Sequence, residues 1–153
     1  MSETADQNLR EYVTAVIGGQ LFGLPILRVQ DVFAPERLTT VPLAPAEIAG
    51  VLNLRGRIVT LINMRRRLGL GDHEGGGSPM AVGVESRGES YGLLIDSVGE
   101  VLKLDDMACE SNPSNLDRRL ASVSTGIYRL DGQLLMVLDV DRVLDIAVKA
   151  AAA

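Results

Sequence analysis

The sequence predicts a mainly β protein made of two small, similar β-barrel units packed together. Three observations predict it. Short apolar runs alternate with glycine-containing turns, and few stretches carry a helical period. The chain repeats itself: the pattern aromatic-Gly-Leu-x-Ile-x-x-Val-x-acid-Val occurs at Phe22–Val32 and again at Tyr91–Val101, an offset of 69. The composition is 46% hydrophobic, with aromatics only at Tyr12, Phe22, Phe33, Tyr91 and Tyr128, so the core must be aliphatic.

A second block of the repeat follows at an offset of 76, where Gly50-Val51 and Leu54-x-Gly56-x-Ile58-Val59 match Gly126-Ile127 and Leu130-x-Gly132-x-Leu134-Leu135. Two copies are too few for a solenoid, so two packed units of about 70 residues are the simpler arrangement.

The elements read in order as follows. Residues 1–8 form a loose polar tail, ahead of a single domain over 9–148. Tyr12–Ile17, the turn Gly18-Gly19 and Gln20–Ile26 make a hairpin. Over Ala44–Leu52, the spacing of Ile48, Val51 and Leu52 after Pro45 predicts a short helix. Ile58–Met64 is a buried strand, and Asn63–Leu68 a short helix that ends before Gly69. The glycine-rich 69–79 segment is a loop and the expected boundary between the two barrel halves. Met80–Val84, Arg87-Gly88 and Ser90–Ile95 repeat the first hairpin, and Glu110–Asp117 is a second polar break. Leu134–Val140 is a buried strand equivalent to Ile58–Met64, so Val59, Leu61, Leu135 and Val137 should all be buried. A terminal helix is expected over Val140–Val148, starting at Asp141, and residues 149–153 are a frayed tail.

Composition narrows the function. A formal charge of −5 argues against nucleic acid as the main partner. The single cysteine, Cys109, suits a reducing cytoplasm. The polar, acidic first residues do not resemble a signal peptide, and no apolar run is long enough for membrane insertion. Catalytic chemistry lacks its parts. The one histidine, His73, sits in the glycine-rich loop, and one His with one Cys cannot build a typical zinc site. Neither Gly18-Gly19 nor Gly75–Gly77 has phosphate-loop spacing, so no cofactor is expected. Asp105-Asp106 reads as a solvated turn. Arg65–Arg67 could form a nucleic-acid patch, but it reads better as cations at a helix C-terminus. What remains is a binding protein without enzyme activity.

The repeat also isolates one candidate binding residue. At the aligned turn, the first half has Asn53-Leu54-Arg55-Gly56 where the second has Arg129-Leu130-Asp131-Gly132. Asp-Gly is a good hairpin signal; Arg-Gly is not the choice turn chemistry would make, so Arg55 is expected to serve a partner.

The stretch from Gly50 through Asn53, Leu54, Arg55, Gly56 and Ile58 to Asn63, Met64 and Arg65 resembles the signature of the CheW family of bacterial chemotaxis coupling proteins. Phe22–Val32 and Tyr91–Val101 resemble the same family, and the likeness runs from about Arg10 to Val148. It implies two SH3-like, five-stranded barrels with an apolar seam. It implies an adaptor that links the cytoplasmic tips of methyl-accepting chemoreceptors to the regulatory domain of the histidine kinase CheA, in cytoplasmic, membrane-recruited arrays. By position, Val29, Asp31, Gly50, Asn53, Arg55, Gly56, Met80 and Val101 fall where that family makes or supports partner contacts, with Asp31 and Arg55 expected to pair. Two other readings stand beside it: a regulatory module of another kinase-controlled pathway, and a small nucleic-acid-binding barrel that uses Arg65–Arg67. The start of the chain and its terminal helix favour the free adaptor.

Overall fold

Ten strands carry most of the described apolar residues. The structure, a computed structural model, describes residues 8–71 and 79–145. β1 (Leu9–Ile17) and β2 (Gln20–Pro25) form the first hairpin, and a 3-10 turn at Ile26–Arg28 leads to β3 (Val29–Phe33). β4 (Ile48–Leu54), β5 (Arg57–Asn63) and the short helix α1 (Met64–Leu68) follow. Then come β6 (Met80–Ser86), β7 (Glu89–Ile95) and β8 (Ser97–Asp105). α2 (Arg118–Val123), β9 (Ser124–Leu130), β10 (Gln133–Leu138) and α3 (Val140–Val143) complete the order.

The strands form two five-stranded sheets, a terminal sheet in the order β8-β1-β2-β10-β9 and a central sheet in the order β3-β6-β7-β5-β4. These are the two SH3-like units the sequence predicts, but they are not the two sequence halves. The central sheet is continuous in sequence from β3 to β7, while the terminal sheet joins the first hairpin to the last three strands. Each sheet therefore pairs one repeat's hairpin with the other repeat's later strands. The 69–79 segment, expected as the boundary between the halves, instead joins α1 to β6 inside the central unit. The chain passes between sheets only at the Ile26–Arg28 turn and at Asp96. The repeat survives as matching parallel pairs: β5 runs parallel to β7 with Val59 opposite Ser90, and β10 parallel to β2 with Leu135 opposite Leu21.

Burial on both faces explains the near-continuous apolar strands. One face of each sheet encloses a small core, Leu52, Val59, Leu61 and Ala81 in the central unit and Tyr12, Tyr128, Leu135 and Val137 in the terminal one. The other faces meet in a larger shared core that includes Phe22, Leu24, Ile62, Val82, Leu93, Met136 and Leu138. All four residues expected in equivalent strands, Val59, Leu61, Leu135 and Val137, are buried.

Both crossings are clasped by a two-pronged ion pair. Arg65 donates through Nε and Nη2 to Asp96 at 2.9 and 2.6 Å, and Asp96 Oδ2 also accepts the Gly18 amide at 2.8 Å. Arg28 donates through Nη1 and Nη2 to Asp141 at 3.2 and 3.0 Å. Arg65 and Asp141 occupy aligned positions of the repeat, so acid and base are exchanged between the two clasps.

Two expected elements differ. The Ala44–Leu52 helix is absent; Ile48–Leu54 is β4. A bulge between Ile48 and Gly50 breaks the alternation there, and the offset it inserts imitates a helical spacing. The terminal helix spans Val140–Val143 and is capped by Asp139, whose side chain accepts the Arg142 amide, not by Asp141. Its expected continuation from 146, the tails 1–7 and 149–153, His73 and Gly75–Gly77 lie outside the described residues. The short helix before Gly69 forms as expected, with Asn63 accepting the Arg66 amide and Gly69 at a φ of 72°.

Candidate partner surface

The β4–β5 hairpin closes on Arg55 and Gly56, with φ values of 54° and 83°, the pair of positive angles that a type I′ turn requires. Asn53 secures it by accepting the Gly56 amide on Oδ1 at 2.9 Å. An arginine in this left-handed region costs about 1 kcal/mol. At the aligned turn only Gly132 has a positive φ; Asp131 does not. The first repeat's turn is thus the more demanding of the two, yet it carries the less suitable residue.

Arg55 stands at the mouth of a cleft of about 140 Å³, lined also by Asp31, Phe33, Arg57, Ser90 and Tyr91. Asp31 reaches it from β3, where it lies opposite Gly83 in β6, and its carboxylate occupies the space a Cβ at residue 83 would fill. The expected Asp31–Arg55 ion pair does not form: both residues line the cleft, but no salt bridge joins them. The turn displays Arg55 outward on a backbone stiffened by Asn53, leaving the cleft open between cation and carboxylate. On the same cleft, the Tyr91 hydroxyl donates to Glu89 at 2.8 Å, and burial, helped by that carboxylate, pushes its pKa up to about 12.

The remaining candidates are dispersed. Gly50 sits at the β4 bulge with a φ of 153°, where a side chain would collide with the Thr39 carbonyl. Val29 and Met80 are half-buried against the shared core. Val101 is exposed on β8 of the terminal sheet, opposite Val13. The structure therefore brings Asp31 and Arg55 to one cleft, with Asn53 and Gly56 in the turn that carries Arg55, and places the other four elsewhere. Arg57 on the same cleft escaped the sequence reading; a comparison of Arg57 with the aligned Gln133 would have found it.

The arginine triplet is consumed internally. Arg65 holds Asp96, Arg66 donates to the Ala46 carbonyl at 3.3 Å, and Arg67 donates to the Val143 and Arg142 carbonyls at 3.1 and 2.9 Å. Burial lowers the Arg67 pKa from its ordinary value. These contacts remove the basis for a nucleic-acid surface at Arg65–Arg67. Cys109 is half-buried, with its Sγ packed over Gly126 beside the terminal unit's core.

Two packed β units around a shared core, with a polar cleft at the rim of one, define a class of scaffold that works through its surfaces. Comparison with known proteins gives the family. The model of the CheW-like domain matches residues 11–148, and the chain belongs to that family. It is 28% identical over 142 residues to the probable chemotaxis protein CheW of Rhizobium etli, covering 91% of this chain and 90% of that one. It is 26% identical over 134 residues to chemotaxis protein CheW of Rhizobium meliloti, covering 88% and 86%. The crystal structure of the scaffolding protein TtCheW from Thermoanaerobacter tengcongensis superposes with a TM-score of 0.80 at 27% identity, over 89% of this chain and 88% of that one. The chain is thus a non-enzymatic scaffold of the chemotaxis type. No helix among the described residues is long and apolar enough to cross a membrane.

Proposed function

We propose that this protein couples transmembrane chemoreceptors to the histidine kinase CheA, as an adaptor recruited from the cytoplasm to receptor arrays. The observation that carries the reading is Arg55: exposed, held at a costly left-handed turn, without an ion pair among the described residues, and replaced by aspartate in the aligned turn. A residue that folding does not require, kept rigid and facing outward, has its role outside the chain. Asp31, Asn53 and Gly56 support the same contact by shaping the cleft and its turn. Val29, Gly50, Met80 and Val101 complete the proposed partner positions, the first three by fixing the backbone and seam behind it.

The mechanism requires no chemistry in this chain. A receptor tip whose geometry depends on its signalling state binds one arrangement better, and the apolar core shared by the two sheets passes that difference to the kinase contact as a rigid unit. Reconstitution tests this directly. Receptor-bearing vesicles, CheA and this protein should sediment together with receptor-dependent kinase activity, and omission of this protein should abolish both. Kinase control that is unaltered by its omission would overturn the coupling role.

A further inference from the structure

The parallel pairing of β5 with β7 brings two hairpin turns to one end of the central sheet. With Val59 opposite Ser90, the register carries Arg57 to the level of Gly88, so the Arg55-Gly56 and Arg87-Gly88 turns close adjacent hairpins at the same end of the sheet, with only the β5–β7 pairing, a strand spacing of about 5 Å, between their inner strands. Arg87 repeats the backbone of Arg55, with a φ of 52° ahead of a glycine at 79°. Two arginines are thus held in a conformation that glycine, asparagine or aspartate adopts more readily. Arg55, Arg57 and Arg87 are all exposed, and among the described residues no hydrogen bond or ion pair engages any of their guanidinium groups. Acids also border these arginines: Glu85 accepts from Gln30 at 2.6 Å, Glu89 accepts from Tyr91 at 2.8 Å, Asp141 beside Arg87 accepts from Arg28 and Ser86, and Asp31 lines the cleft of Arg55 and Arg57.

The terminal sheet supplies an internal control. Its parallel β2–β10 pair brings the Gly18-Gly19 and Asp131-Gly132 turns together in the same way. There the positions aligned with Arg87, Arg55 and Arg57 are Gly18, Asp131 and Gln133. One architecture, filled twice, carries three free cations at one end and none at the other, in a chain whose net charge is −5. Folding accounts for neither the cations nor their concentration.

We propose that Arg55, Arg57 and Arg87 form one cationic rim that docks an acidic segment of a protein partner, with Arg57 and Arg87 as determinants of specificity beyond Arg55. This rests on the coupling reading above and names the chemistry of its partner. Guanidinium groups spread along a rim suit carboxylates presented at intervals on a partner surface, through paired hydrogen bonds and long-range attraction.

The test replaces the outer two cations by side chains that suit their backbones, Arg57→Gln and Arg87→Asn, and leaves Arg55 in place. The full chain is titrated with a receptor-tip fragment and with a CheA regulatory-domain fragment over a salt series. Affinity for one fragment should fall by about tenfold in the double variant, with a shallower salt dependence and an unmoved thermal midpoint. Undiminished affinity and an unchanged salt slope would overturn the rim and leave the coupling reading intact. Failure of the unsubstituted chain to bind either fragment would overturn both. A loss confined to binding of a DNA or RNA duplex, with protein binding unchanged, would also overturn it, because the rim would then serve a polyanion of another class.

Discussion

Arg55, Arg57 and Arg87 stand at the turn-bearing end of the central sheet, where the terminal sheet has Asp131, Gln133 and Gly18. Behind those ends the two sheets are alike. Val59 and Leu61 in β5 align with Leu135 and Val137 in β10, all four are buried, and each strand lies parallel to a hairpin strand contributed by the other repeat. A duplicated fold keeps what packing demands in both copies, so the differences mark what packing does not demand. The comparison separates residues that hold the molecule together from residues that face a partner, without recourse to other sequences.

The largest effect should come from the shared interior. Leu61→Ala and Leu135→Ala each remove a fully buried side chain and should each cost about 2–5 kcal/mol. Urea midpoints would check this, and a clear loss in one variant with none in the other would break the equivalence of the sheets. The two clasps should differ next. Asp96 is half-buried and holds both Arg65 and the Gly18 amide, so Asp96→Ala should cost about 2 kcal/mol. Asp141 is exposed beside Arg28, so Asp141→Ala should cost at most about 1 kcal/mol by the same denaturation measurement.

A smaller, pH-dependent effect sharpens the contrast. The Arg28 hydrogen bonds hold the Asp141 carboxyl below its ordinary value of 3.8. A carboxyl lowered on folding stabilises above its unfolded pKa and loses that contribution as pH falls through the folded one. Between pH 4 and lower values, the unsubstituted protein should therefore lose slightly more stability than Asp141→Asn, by less than about 1 kcal/mol after solvent screening. Parallel stability curves for the two proteins would show that this clasp contributes nothing.

Much of this comparison was legible in the sequence. Glycine turns flanked by alternating apolar residues marked both hairpins, and the buried strands β5 and β10 stood out as continuous aliphatic runs. Asn63 and Gly69 bounded α1 through local hydrogen bonding, which sequence records directly. The exchange of strands between repeats was not legible. It depends on the β5–β7 and β2–β10 pairings, which join distant segments and leave no local pattern. β4 was misread because its bulge disturbs the period of two. At the cleft, aligned turns pointed to Arg55, but the missing ion pair to Asp31 depends on side-chain directions that no spacing reveals. Arg57 and Arg87 became significant only once the parallel register brought their turns together.

The central claim is that the central sheet's rim serves a partner while the matching rim of the terminal sheet does not. Reciprocal charge exchange at the aligned turns tests it most directly: Arg55→Asp in one protein, Asp131→Arg in another, each titrated with receptor-tip and CheA fragments and followed by thermal unfolding. Both are surface changes that should alter stability by no more than about 0.5 kcal/mol. Arg55→Asp should weaken binding to one fragment by about tenfold or more, while Asp131→Arg should leave both affinities as they are. Equal effects of the two exchanges on binding, or a loss of stability confined to Arg55→Asp, would contradict the account.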